Sequence, residues 1–162
     1  MTTIVTIRFN NETWTSNNNY RIKKNIKCIY ATPFRLTSNI EINSYVYVIE
    51  MNNSNNQIIG IGLIKNKIQT NKYYKVQNDK NFNRYIYIGN HHIPREIILN
   101  FNPQLVFILE EILFKGKTHS KRGSGLTKIP EKILKFDICK NIDIKNEIKE
   151  LFIYIFREKK QS

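Results

Sequence analysis

A chain of 162 residues that is 41% hydrophobic and 12% aromatic can bury one core of ordinary domain size, which excludes a wholly disordered polymer. Lysine and arginine number 26 against 13 acids, a formal charge of +13, and so large an excess favours a polyanionic partner, because each neutralised phosphate releases condensed counterions. Apolar runs such as residues 105–109 fall far short of the ~20 needed to cross a bilayer, and two cysteines, Cys28 and Cys139, give neither a disulfide framework nor a metal-ligand spacing.

The first residues lack a basic segment, a long apolar run and a small-residue cleavage site, so no secretory signal is expected. A reducing, intracellular setting follows as the expectation, cytoplasmic or within a viral factory or virion. Asn, Ile and Lys make up about four residues in ten, the bias an AT-rich genome imposes, so part of the basic excess reflects composition.

In chain order, "TIVTIRF" (3–9) alternates as a strand. "NNETWTSNNN" (10–19) reads as a polar loop presenting Trp14, the only tryptophan. "KCIYATP" (27–33) is a strand closed by Pro33, which cannot donate to a ladder. Residues 44–66 form the clearest hairpin, with Tyr, Val and Ile on both arms around an Asn/Ser turn. "YYKV" (73–76) and "NRYIYIG" (83–89) are two further strands, the latter placing Tyr85 and Tyr87 on one face and Ile86 and Ile88 on the other.

Beyond residue 93 the period becomes helical. Asn102 suits an N-cap, Pro103 the first helical position and Gly116 the stop, with Leu105, Ile108, Leu109 and Ile112 on one buried face. A basic, glycine-rich loop covers 115–128, a short helix follows at 130–136, and an amphipathic helix ends the chain with Ile144, Ile148, Leu151, Phe152 and Ile155 in one stripe. The expected fold is α+β, one domain over 1–162: a small, partly open antiparallel β-barrel in 3–93 with helices in 94–157.

The loop carries the strongest chemical signal. Lys115, Lys117, His119, Lys121 and Arg122 surround Gly116, Gly123 and Gly125. Glycines at 123 and 125 would let backbone N–H groups converge on an anion, Arg122 would fork onto a phosphate, and Lys117 and Lys121 would add point charges. No Gly-Lys-Ser/Thr follows, so this is no Walker A loop. The competing reading is a mobile basic loop. Arg84 and Arg95 would extend the basic track.

Gly60 and Gly62 in "IIGIGLI" imply that something approaches that strand closely, either a tight sheet bend or a flat base. Trp14 with Tyr45, Tyr47 and Tyr74 could stack on bases, against the alternative that the tyrosines are core pieces with satisfied hydroxyls. His91 and His92 are adjacent and point to opposite faces of a strand, and His119 is far away, so no metal site is expected. Glu50, Glu110 and Glu111 could pair, but no nucleophile–base arrangement emerges, and neither catalysis nor a cofactor is expected.

The aromatic strand "YVYVIEMNN", a short turn and "QIIGIGLI" resemble the hairpin of PUA-like domains, the superfamily holding the YTH, EVE and ASCH domains. Trp14 ahead of it resembles an aromatic-cage position of the reader members. The resemblance covers roughly residues 12–100 and implies a small open barrel that binds nucleic acid, with a modified base among the ligands. The sequence departs from ASCH domains, which carry a Gly-x-Lys-x-x-Glu-x-Arg segment, and from YTH readers, which have a second cage tryptophan; Tyr45, Tyr47 or Tyr74 would have to replace it. The blocks 83–97 and 113–134 also resemble a module of large cytoplasmic DNA viruses. The expected function is non-catalytic binding of RNA or DNA. Its alternatives are a packaging protein of a virion and an accessory subunit using the terminal helix on a protein partner or a second copy of the chain.

Overall fold

The computed structural model describes residues 2–161, with side chains to residue 157. Among these residues run seven strands: β1 (Thr3–Phe9), β2 (Cys28–Thr32), β3 (Tyr45–Asn52), β4 (Gln57–Lys65), β5 (Tyr85–Gly89), β6 (His91–Pro94) and β7 (Thr127–Lys128). Five α-helices accompany them: α1 (Asn11–Lys24), α2 (Arg95–Phe101), α3 (Pro103–Phe114), α4 (Glu131–Leu134) and α5 (Ile144–Gln161). The molecule is α+β. A five-stranded sheet has the order β6-β4-β3-β1-β7, and β2 pairs with β5 in a separate ribbon.

Of the expected partly open, antiparallel barrel, the α+β class is observed, and the antiparallel sheet is corrected. Among the described residues no closed barrel forms, and the sheet is mixed, because β1 runs parallel to β3 with Thr3 opposite Val46 and Phe9 opposite Asn52. Parallel neighbours need a long crossover, and here α1 and β2 supply it.

Strand alternation sorts the apolar residues onto two faces. Ile4, Ile49, Met51, Ile61 and Ile93 face the helices and join Leu105, Leu109, Ile148 and Phe152 in one core. Val5, Ile7, Val46, Val48 and Ile64 face the ribbon and join Cys28, Tyr30 and Tyr87 in a second. In β5, Tyr85 and Tyr87 pack into that second core, while Ile86 and Ile88 cover the ribbon's outer face with Ile29.

Helix α3 forms where its cap predicts. The Asn102 side chain accepts from Leu105 N–H at 3.1 Å, Pro103 takes the first position, and Gly116 follows the last turn at φ +78°. The α5 stripe of Ile144, Ile148, Leu151 and Phe152 is buried and Ile155 is half-buried.

Two expectations fail for physical reasons, and a third, the loop at 115–128, holds except at its last two residues. Residues 10–19 are not a loop: Asn10 caps α1 by accepting from Thr13 N–H at 2.8 Å, while Thr13 Oγ1 accepts from Asn10 N–H at 3.0 Å. Asparagine is a poor helix former, but Asn17 is buried and donates to Ile29 O at 2.8 Å, so tertiary contact overrides propensity. Residues 73–76 are no strand, since Tyr74 and Val76 are buried against Ile29 and Ile86 without a ladder partner. The loop 115–128 ends in β7, which pairs Thr127 with Thr6 and Lys128 with Val5.

Candidate nucleic-acid interface

The basic loop is built around a buried-side cation from β1. The Arg8 guanidinium donates to Gly123 O (3.1 Å), Gly125 O (2.7 Å) and Ser120 O (3.3 Å), and to the hydroxyls of Thr6 (3.1 Å) and Thr127 (3.0 Å). Gly123 and Gly125 adopt φ +102° and +77°, which turns their carbonyls inward. Sequence reasoning placed N–H groups at the centre of this turn; the observed centre is a guanidinium ringed by acceptors. Asn53 Nδ2 donates to Lys121 O at 2.9 Å, and His119 Nδ1 accepts from Lys121 N–H at 3.1 Å. The loop is therefore a fixed platform, with Arg122 exposed and Lys121 half-buried on it.

Removing the hub should release the platform. Arg8→Ala is expected to cost about 1.5–3 kcal/mol, the value of charge-assisted hydrogen bonds, and to open residues 116–126 to limited proteolysis. A digestion pattern matching the parent chain would show that the loop holds itself.

Beneath the loop lies a concavity of about 390 Å³. Phe9, Asn10, Thr13, Asn53, Gln77 and Phe82 line it on one side and Arg8, Lys121 and Gly123 to Gly125 on the other, with no carboxylate among the lining residues. Gln77 Nε2 donates to Thr13 O at 2.9 Å and fixes one wall. The Asn53 Oδ1 atom is buried without a partner. Phe82 stays 39% exposed. Amides, one exposed ring and a cationic rim suit a flat, polar-edged ligand carrying negative charge.

The residues expected to form one site separate into several. Lys121 lines the concavity, and Arg122 adjoins it in sequence on the exposed side of the loop. Lys117 is exposed on the same loop. Lys115 pairs with Glu111 at 2.5 Å and Arg95 with Glu110 at 3.0 Å, so both carry carboxylate partners. Arg84 is exposed, 5.8 Å from the Tyr85 ring centroid. The stacking set does not converge. Tyr47 packs on Phe152, Tyr74 is buried with its hydroxyl on Asn71, and Tyr45 lies exposed under Lys65. Trp14 sits in α1 instead of a loop, edge-on to Phe9 at 5.4 Å and 4.9 Å from the Arg21 guanidinium. It stands behind a wall of the concavity and does not line it.

Behind that wall is a polar core that sequence reasoning missed. Glu50 is fully buried, and its Oε2 accepts from Arg21 Nη2 and Tyr30 O–H, each at 2.8 Å. His92 Nε2 lies 2.8 Å from Oε1; since a carboxylate only accepts, that nitrogen carries the proton. Burial would push the Glu50 carboxyl up, but Arg21 and then His92 outweigh it and hold it well below the ordinary range. Burial pushes the nearby Cys28 thiol up to about 12, so it is no nucleophile.

The Gly-x-Gly strand makes this cluster possible. A Cβ on Gly62 would sit 2.0 Å from the Tyr30 hydroxyl, and one on Gly60 would sit 2.9 Å from the His92 ring. The glycines thus admit the two side chains that reach Glu50, and close packing rather than a resting base explains them. The β3–β4 ladder shifts at the same place: Glu50 faces Gly60 and Met51 faces Ile58, leaving Ile59 as an extra residue. The signal available in the sequence was the two glycines opposite a lone strand carboxylate.

Fold and site together define an α+β domain with a rigid basic loop over a carboxylate-free concavity. No family model, curated protein or solved structure matches the chain.

Proposed function

We propose that the protein binds nucleic acid without chemistry, as a PUA-like module that seats one nucleobase, plain or modified, in the concavity under the basic loop. The observation that carries this reading is the loop itself, tied to Arg8 by four hydrogen bonds and holding Lys121 and Arg122 at the rim of an amide-lined pocket. Phe82 offers a ring face, and Asn10, Asn53 and Gln77 offer donors and acceptors for base edges. The +13 charge supplies the long-range attraction.

Affinity for a short labelled oligonucleotide is expected to fall steeply between ~50 and ~200 mM salt. Lys121→Ala with Arg122→Ala should weaken binding and flatten the slope by about 0.7 for each single-strand phosphate that is no longer neutralised. A salt-independent affinity would remove phosphate neutralisation as its basis. A second reading, an accessory subunit held by protein contact, has its own support in Phe101 and Phe107, which are 51% and 58% exposed on α2 and α3. It becomes the better one if no oligonucleotide binds at ~50 mM salt.

A further inference from the structure

A second concavity, of about 440 Å³, lies on the other side of the short 3₁₀ turn that carries Phe82. Three cations line it, and each rests on a ring. The guanidiniums of Arg35 and Arg84 lie 5.2 and 5.8 Å from the Tyr85 centroid, and the Lys72 ammonium lies 5.0 Å from that of Tyr74. No Asp or Glu lines the cavity, and among the described residues none of the three cations has a carboxylate partner. Like charges gathered without a counter-ion repel one another, so the arrangement gains most from an anion. A ring beneath a guanidinium fixes its plane and leaves its N–H edge open to a phosphate.

Two details point to a nucleotide rather than a bare anion. Tyr73, also in the lining, is 62% exposed, and its hydroxyl accepts from Asn83 Nδ2 at 3.2 Å, so the ring is held while remaining open for stacking. Asn83 also joins the two cavities: its Oδ1 accepts from Gln77 N–H (2.9 Å) and its Nδ2 donates to Gln77 O (2.8 Å). One buried amide thus fastens a wall of the first pocket to a wall of the second.

We propose that this cavity is a second nucleotide subsite, taking the phosphate and unstacked base of the nucleotide next to the one in the first pocket, so that the partner is a single strand. The proposal rests on the nucleic-acid reading above and adds length and strandedness to it. A duplex keeps its bases stacked and could not offer them to two pockets separated by one turn.

The test compares ligands of two lengths on the full chain: the four nucleoside monophosphates, and randomised tetranucleotides of RNA and of DNA. Arg35→Gln with Arg84→Gln should leave unchanged the monophosphate binding that Lys121→Ala with Arg122→Ala removes, weaken tetranucleotide binding about tenfold, and flatten its salt slope by about 0.7 to 1.4. Both positions are exposed, so unfolding is not expected; Lys72→Gln repeats the test by a second route should the pair prove necessary for folding. Four outcomes overturn the proposal. If tetranucleotide affinity and slope survive the arginine changes while Lys121→Ala with Arg122→Ala abolishes binding, the first pocket stands and the second falls. If monophosphate and tetranucleotide binding weaken equally, only one site exists. If polyglutamate displaces the tetranucleotide as well as an unlabelled strand does, the cavity takes any polyanion. If the parent chain binds neither ligand, both readings fall together.

Discussion

Glu50→Gln is expected to destabilise the protein by about 3–5 kcal/mol, the usual consequence of removing one member of a buried ion pair. The carboxylate accepts from three donors supplied by three elements: Arg21 on α1, Tyr30 on β2 and His92 on β6. A glutamine keeps the shape but turns one oxygen into a donor, facing either His92 or the Arg21–Tyr30 pair, and it strands the Arg21 charge, which is only 6% exposed. Urea midpoints at neutral pH measure the loss.

The same residue sets a pH dependence. Because the folded Glu50 carboxyl is held below its unfolded value of about 4.3, its contribution is complete above that pH and disappears progressively as pH falls through the folded value. The parent chain should therefore lose stability below about pH 5, and Glu50→Gln should show a shallower acid dependence over the same range. Parallel curves for the two proteins would show that the acid sensitivity lies elsewhere, and a midpoint unchanged at neutral pH would mean that the cluster contributes nothing.

How far the fold could be read depended on whether its cause was local. Helix α3 and the β3–β4 hairpin were legible, because a cap, a proline and two repeating periods all lie within a few residues of what they specify. Helix α1 was hidden by its asparagines, whose low propensity is overcome by a buried amide bonding to β2. Strands β6 and β7, four and two residues long, are too short to carry a period. The parallel pairing of β1 with β3 is a property of the crossover, which no local pattern encodes.

The candidate site divides in the same way. Lys121 and the loop glycines announce themselves by composition, and the glycines do take left-handed backbone. Arg8 lies over a hundred positions earlier in the chain and looks like any polar residue of an alternating strand, yet it decides which way the loop carbonyls turn. Phe82 and Gln77 sit in a stretch with no strong period, so nothing local marked them as pocket walls. Trp14 is an isolated aromatic in the sequence, but its isolation is only sequential: Phe9 and Arg21 meet it once α1 folds back on β1.

Phe152→Ala is expected to cost a further class of stability, about 3–5 kcal/mol as for other buried phenylalanines, without touching binding. Phe152 is 3% exposed in the core between the helices and the five-stranded sheet, with ring neighbours Tyr47 at 5.1 Å and Phe156 at 5.6 Å. For a chain of this length each kcal/mol moves Tm by roughly 2–4 °C, so a fall of about 10 °C should be seen. Neither Tyr47 nor Phe156 lines either concavity, and Arg8, Lys121 and Arg84 lie outside the Phe152 core. Below its lowered melting point the variant should therefore bind an oligonucleotide with the parent's affinity and salt slope, whereas Arg8→Ala should weaken binding along with the loop. If Phe152→Ala melted at the parent's temperature, α5 would not be holding the sheet, and its stripe would become the surface by which the chain joins a protein partner. If it melted early and also bound more weakly in the folded range, the helix core would be setting the shape of the basic loop through the end of α3, and the two faces of the sheet would act as one unit.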